Sequence, residues 1–423
     1  MNQLTLYNTM TGQQQAFSPR RKGRVKLFTC GPSVYRRQHL GNYRTYLFED
    51  VLHKYLEYRG LDVQRVINFT DIEDKAIAEA RKTGISVTEL RRPVERAFFE
   101  ECALLGIHLP DEIPRATTSV HSAVALIDLL VTRGHAYRHE GDIFYDPLSY
   151  DGFGRLYGLD MRRWPKKKIR FRRDTYPGQR WNRGDFILWH ACEQPEGETC
   201  WDTPIGLGRP AWNIQDAAMI SEHLGFEIDI HTGGIDNLYR HHDYTLAVME
   251  GASGKSFCPW WLHGGHLLVD GRKMSKSKGN VTTVPTLLRQ GFRPRHIRFF
   301  LLDGPYRDKL DLRTAHLEKS AGRLDRVRRQ ARRLFEGQTA GRGHGHDDFA
   351  TGLRAAFEKA MNDNLDVAGA IDAVADHLVR AAGADAAGGM DALRRRELQR
   401  AMAAIDRVLG VFGFRSEDPP VQA

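Results

Sequence analysis

Between Val25 and Thr70 the chain spells out a strand, a helix and a second strand, an order that leaves few folds open. VKLFTC (25–30) is a short apolar run of strand character, broken by Gly31 and Pro32. From Asn42 the run NYRTYLFEDVLHKYLEYRG sets Tyr46, Leu47, Val51, Leu52 and Tyr55 on one helical face and stops at Gly60. VQRVINFT follows as a second strand. DIEDKAIAEARKTG then opens a second helix, with Asp71 placed to cap it. Strand, helical crossover and strand make a parallel, right-handed βαβ unit. Such a unit is the opening half of a nucleotide-binding α/β domain.

The remaining residues extend this plan. A chain of 423 residues is long enough for two or three domains. Residues 115–200 carry EGDIFYDPL, the basic stretch WPKKKIRFRRD and many Gly, Pro and Trp residues, which reads as an insertion of short strands and loops. FEIDIH and WWLHGGHLLV supply the strands of a second α/β half, and that character ends near residue 303. Beyond it LEKSAGRLDRVRRQARRLFEG, ATGLRAAFEKAMNDN, AGAIDAVADHLVRAAG and ALRRRELQRAMAAIDRVLGVFG are helical patterns of a bundle, joined by GRGHGHDD and GADAAGGMD. The expected division is 1–114 and 201–304 as the halves of a catalytic domain, 115–200 as a connective insertion, and 305–423 as the bundle.

No run approaches the ~20 apolar residues that span a bilayer, and MNQLTLYNTMTGQQQAF lacks the charge-then-apolar order of a secretory signal. A cytoplasmic enzyme with no membrane partner is the expectation. Cys30, Cys102, Cys192, Cys200 and Cys258 are odd in number and without C-x-x-C spacing, which argues against a disulfide framework and an ordinary zinc ribbon. The net charge of +9 favours phosphate, on a nucleotide or a nucleic acid, although Arg-rich solvent-facing helices account for much of it.

Two strings carry chemistry. His39-Leu40-Gly41-Asn42 lies between the first strand and the first helix. Gly41 lets backbone approach a nucleotide closely, the helix start aims its dipole and free N–H groups at phosphate, and His39 can donate to a phosphate as charge develops. Four residues alone also fit a plain loop histidine before a helix. Lys273-Met274-Ser275-Lys276-Ser277-Lys278-Gly279-Asn280 is far more specific. Its lysines can embrace a triphosphate and stabilise departing pyrophosphate, while Ser and Gly keep the loop able to close.

In this order and at this separation the two strings resemble the HIGH and KMSKS motifs of class I aminoacyl-tRNA synthetases. TCGPSVY, NFTDIEDK, GRPAWNIQDAAM, DIHTGGIDN and HHDY narrow the resemblance to cysteinyl-tRNA synthetases, closely over residues 25–300 and loosely over 305–413. The resemblance implies a Rossmann-type α/β fold, ATP with Mg2+, an amino-acid substrate and a ligase activity through an aminoacyl adenylate. His39, Gly41 and Asn42 would meet the ATP phosphates. Lys273 and Lys276 would stabilise the pentavalent transition state, with Ser275 among the ATP-binding residues and His39, Lys273 and Lys276 as the catalytic set. Gly233, Gly234 and Asp236 would form the ribose-reading turn. Thr70, Trp212 and His231 would line the amino-acid pocket, while His263 has a lesser claim.

The pattern also departs from the family. Its members hold zinc with Cys, Cys, His and Glu, and that zinc selects the substrate thiolate. Here the four positions are Cys30, Asp216, His241 and Thr245. Cys30, Asp216 and His241 remain candidate metal ligands, but losing a soft thiolate weakens the preference for zinc, and Asp216 with His241 equally suits a metal-free polar pocket. After VLGVFGFRSEDPPVQA no anticodon-binding segment is expected, a layout shared with the family's relative that ligates cysteine to an amino sugar. Three readings follow. The first is an adenylate-forming ligase whose acceptor, a small amine or a carrier, is not read through an anticodon. The second is a genuine cysteinyl-tRNA synthetase, its basic WPKKKIRFRRD stretch touching an acceptor stem. The third is a non-catalytic RNA-binding relative, against which both intact strings argue.

Overall fold

The computed structural model describes residues 3–175, 183–193, 197–274, 279–336, 348–387 and 390–414. Ser275 and Lys276 lie outside them, as does most of the GRGHGHDD connection. A hairpin of β1 (Thr5–Asn8) and β2 (Gln13–Ala16) leads into β3 (Arg24–Thr29), α1 (Leu40–Tyr58) and β4 (Asp62–Ile67). β3 and β4 pair in parallel from Arg24–Asp62 to Thr29–Ile67, the βαβ unit that periodicity requires. α2 (Asp74–Thr83) and α3 (Val87–Leu104) follow. Asp71 does not cap α2, whose N-cap is Glu73. Buried instead, Asp71 accepts hydrogen bonds from the amide and hydroxyl of Thr117, at 3.0 and 2.6 Å, and from Arg91 at 3.2 Å.

The insertion begins with a helix, α4 (Val120–Thr132), where short strands and loops are expected. A small sheet comes after it: β5 (Ala136–His139), β6 (Asp142–Tyr145), β7 (Arg170–Phe171), β8 (Asp185–Ala191) and β9 (Gly208–Pro210), in the order β5-β6-β8-β7 with β9 also on β8. The sheet therefore reaches past residue 200. α5 (Trp212–His223), β10 (Ile230–Gly234), the single turn α6 (Ile235–Asn237), α7 (Asp243–Ser253) and β11 (Trp260–Gly264) form the second α/β half. Then come β12 (Leu267–Val269), β13 (Arg272–Lys273), α8 (Val284–Arg289), α9 (Pro294–Leu302) and β14 (Leu310–Leu312). β14 pairs in parallel with β12, so strand structure continues beyond residue 303. α10 (Thr314–Glu336), α11 (Phe349–Asn362), α12 (Val367–Ala386) and α13 (Ala392–Leu409) pack as a bundle.

The central sheet runs β11-β10-β3-β4, and every pairing in it is parallel. Neighbouring residues of a strand face opposite sides, and here both sides are covered. Leu27, Ile67, Ile230 and Leu262 join the core containing Leu47 and Val51 of α1 and extending into the bundle. Phe28, Val66 and Trp261 join the core built from α4, α5 and α7. The carboxyl ends of all four strands, together with the N-terminus of α1, meet along one edge. Ligands of open parallel sheets bind at such an edge.

Candidate active site

A cleft of about 140 Å³ opens at that edge, lined by Cys30, His39, Asn42, Asp236, His266 and Lys273 among others. His39 stands at the N-cap of α1 in an extended conformation, and its backbone N–H donates to Asn42 Oδ1 at 3.2 Å. The amide of Asn42 thus folds back to tie off the helix start. The N–H of Leu40 donates to the carbonyl of Thr282 at 3.0 Å, joining α1 to the segment after the lysine-rich loop. His39 Nδ1 is buried without a partner. Burial holds the His39 imidazole below its usual range, the nearby Asp236 carboxylate opposing it less strongly, so at neutral pH the ring is an uncharged donor. A Cβ on Gly41 would lie 3.0 Å from two atoms of that ring, so a side chain there would force the ring to shift. Gly233 and Gly234 end β10, and Asp236 follows in the first turn of α6, exposed to the cleft. Lys273, at the end of β13, is exposed on the same cleft.

A second constellation lies beside and beneath Cys30. His241 Nε2 is 2.9 Å from Asp216 Oδ2 and 3.7 Å from Cys30 Sγ. The His241 ring stacks on Trp212, centroids 4.0 Å apart and planes within 4°. Asn68 donates from Nδ2 to Asp216 Oδ1 at 3.1 Å and lies 3.4 Å from the Thr70 hydroxyl. Thr70, Trp212, Asp216 and His241 are therefore gathered at one place. His231 is set one ring further back: it stacks on Trp261 at 4.4 Å and meets His242 at 4.5 Å. His242 Nδ1 is 2.8 Å from His263 Nε2, whose other nitrogen is 2.8 Å from the Thr9 hydroxyl, so His263 supports the cluster from behind. Burial keeps His231 and His242 well below the ordinary imidazole range and hence neutral. A Cβ on Gly233 would meet His242 Cε1 at 2.6 Å, so the bare backbone there lets the imidazoles close up.

The zinc implied by the resemblance can be tested against these side chains. Cys30, His241 and Asp216 do converge. Yet both Asp216 oxygens are taken, one by Asn68 and one by His241, and the 2.9 Å separation is a hydrogen bond, shorter than the spacing of two ligands at ~2.0 Å from one zinc. Thr245 donates its hydroxyl to the carbonyl of His241 at 2.9 Å, along its own helix, so it is not presented as a ligand. Burial, with the Asp216 carboxylate adding to it, pushes the Cys30 thiol well up and keeps it protonated. The four-residue set does not fit a zinc ion. Donor atoms of Cys30, His241 and His242 also lie within 4.8 Å of one another, which leaves three ligands for a soft cation.

Several site residues carry no clear mark in the sequence. Asn68 sits at the end of β4, and only the fold brings it to Asp216, 148 positions away. Asn237 donates to Cys30 Sγ at 3.6 Å. His266 follows the Gly264–Gly265 pair into the cleft, and that double glycine at a strand end is the one signal that could have pointed to it.

Residues 16–322 match the family model described as the tRNA synthetases class I (C) catalytic domain. The chain is 34% identical over 422 residues to the cysteine–tRNA ligase of Leptospira interrogans, covering 99% of this chain and 89% of that protein. It is 37% identical over 328 residues to the cysteine–tRNA ligase of Brachyspira hyodysenteriae, covering 77% and 69%. In fold it is similar to Mycobacterium tuberculosis methionyl-tRNA synthetase in complex with methionyl-adenylate, with a TM-score of 0.67, 16% identity and 92% of each chain covered.

Proposed function

The chain belongs to the cysteinyl-tRNA synthetase family of class I synthetases, an ATP-using ligase, and from there we propose that it activates an amino acid as an aminoacyl adenylate in the cleft beside Cys30. One observation carries this reading: His39, Asp236 and Lys273 line one cleft at the carboxyl edge of the parallel sheet, next to the pocket of Trp212, Asp216 and His241. In the reaction an oxygen of the amino-acid carboxylate attacks the α-phosphorus of ATP, and the bond to the bridging oxygen breaks as pyrophosphate leaves with its Mg2+. Neutral His39 donates a hydrogen bond to a phosphate oxygen as charge builds there. The α1 N-terminus adds its dipole. Lys273, with Lys276 and Ser275 of the same loop, steadies the leaving pyrophosphate. Asp236 accepts from the ribose hydroxyls, and Gly233 and Gly234 bring backbone close to the nucleotide.

Adenylate then passes to an acceptor. One reading makes this acceptor a small amine or a carrier. A tRNA acceptor is the second reading, favoured by the names of the relatives, both cysteine–tRNA ligases. ATP–pyrophosphate exchange, screened over all amino acids without any acceptor, tests the common step. We expect one amino acid to drive exchange, and Lys273→Ala to slow it by about 10²–10³-fold while the protein stays folded. Exchange at the wild-type rate in Lys273→Ala would remove the loop from the mechanism. Transfer of the activated residue to bulk tRNA then separates the two readings.

A further inference from the structure

Asn68, the residue after β4, is fully buried, and both ends of its side-chain amide are engaged. Its Oδ1 accepts the backbone N–H of Gly31 at 2.8 Å. Its Nδ2 donates to Asp216 Oδ1 at 3.1 Å and lies 3.4 Å from the Thr70 hydroxyl. A backbone N–H can only donate, so the Gly31 contact settles which end of the amide is oxygen. The NH2 end is thereby committed to Asp216.

These contacts join the cleft to the pocket beside it. Gly31 lines the cleft together with Cys30. The approach is close enough to exclude a side chain, since a Cβ on Gly31 would lie 1.9 Å from the Asn68 carbonyl oxygen. On the other side, Asp216 Oδ2 is 2.9 Å from His241 Nε2, and the His241 ring stacks on Trp212. As a carboxylate, Asp216 accepts at both oxygens, so the hydrogen of this second contact stands on Nε2. Which ring nitrogen of a histidine carries hydrogen is set by what the ring meets. Polarity therefore runs in one direction, from the Gly31 amide through Asn68 and Asp216 to His241.

We propose that Asn68 is a positioning residue for the amino-acid pocket. It fixes the Asp216 carboxylate, and through it the orientation and hydrogen placement of the His241 ring, relative to the cleft at Gly31. The inference rests on the activation reading given above. Asn and Asp have nearly the same shape, so exchanging them tests polarity apart from packing. In Asp216→Asn the new amide turns its oxygen to Asn68 and its NH2 to His241, and Nε2 must then accept. Adding Asn68→Asp draws that NH2 back, because the carboxylate at position 68 accepts it along with the Gly31 N–H. The oxygen at position 216 then accepts from Nε2 as before.

The test is ATP–pyrophosphate exchange with the full chain and the amino acid that drives wild-type exchange, its KM and that of ATP being measured separately. Asp216→Asn and Asn68→Asp, each alone, should raise the amino-acid KM by about 10-fold or more and leave the KM for ATP within about twofold. The double variant Asn68→Asp/Asp216→Asn should return the amino-acid KM to within about threefold of wild type. A double variant no better than Asp216→Asn overturns the proposal, as does an unchanged amino-acid KM in Asp216→Asn. A parallel rise in the KM for ATP overturns it too, since the effect is then not confined to the pocket. Should either single variant fail to fold, recovery of folding and of the wild-type KM in the double variant decides. If no amino acid drives exchange in the wild type, activation and this inference fall together.

Discussion

Burial makes His39 a neutral donor and not a cation, and this separates it from Lys273 on the same cleft. A neutral donor gains most when negative charge grows on its partner, so the contact belongs to the transition state. His39→Ala should therefore lower kcat with little change in either KM. Steady-state exchange kinetics checks this, and a pure KM effect would place His39 in ground-state binding instead. The residues around Cys30 lead to a second expectation. Asp216 is occupied by Asn68 and His241, and Thr245 is turned to its own helix, so purified protein should carry zinc well below one ion per chain. Elemental analysis decides the point. One tightly bound zinc together with cysteine-dependent exchange would show Asp216 to be a ligand and the enzyme to be cysteine-activating. The pairing also changes how Asp216 is understood. On sequence alone it is a candidate metal ligand or part of a metal-free polar pocket, whereas in the fold Asn68 and His241 already partner it.

Between elements, the segment after β7 is joined to the N-termini of α2 and α5 by a single carboxylate. Asp174, 1% exposed, accepts the amide of Asp74 at 3.0 Å and that of Trp212 at 2.9 Å, and it lies 3.0 Å from His190 Nε2 on β8. Trp212 stacks on His241, so Asp174 fixes the start of the helix that carries one wall of the pocket. Burial pushes the Asp174 carboxyl up, but the hydrogen bond from His190, the charges of His190 and Arg209 and the Asp74 amide outweigh it and bring it down to about 2. A carboxylate depressed in the folded state contributes stability above its unfolded value of about 4 and loses it as pH falls from there to about 2. Asp174→Asn should cost about 2 kcal/mol at pH 7. In denaturant unfolding at stepped pH, the gap to wild type should close between about pH 4 and 2. A gap that persists unchanged in acid would mean that geometry and not charge is at work.

Across the molecule, the bundle is locked to the catalytic core by Arg298 of α9. Its guanidinium donates to Asp50 of α1 at 2.8 Å and to the carbonyls of Leu105 and Leu409 at 2.9 and 2.6 Å, so one side chain joins α1, the end of α3 and the end of α13. At 1% exposure, removing it strands a buried carboxylate and two carbonyls, although Lys54 still meets Asp50 at 2.8 Å. Arg298→Met should cost about 3 kcal/mol in global unfolding. If only the bundle loosened while the sheet kept its stability, the two parts would be independent units, which the continuous apolar core from α1 into α13 argues against.

The order of strands and helices, the parallel crossover and the two family motif strings were legible because each depends on residues close together along the chain. Periods of 2 and 3.6 decide which face is buried, and Gly or Pro decides where an element stops. The same local reasoning misplaced Asp71 as a helix cap. Its donor, Thr117, is 46 positions away, and a cap position has no way of announcing that competition. It also read the start of the insertion as short strands and loops, where VHSAVALIDLLV folds as α4 against α5 and α7. Whether Asp216 stands unpaired and whether Thr245 faces a metal depend on atoms brought together from β4, α5 and the turn before α7. Periodicity specifies that such groups are buried but not what each one meets, and the cost of an unmatched buried charge is set by those meetings.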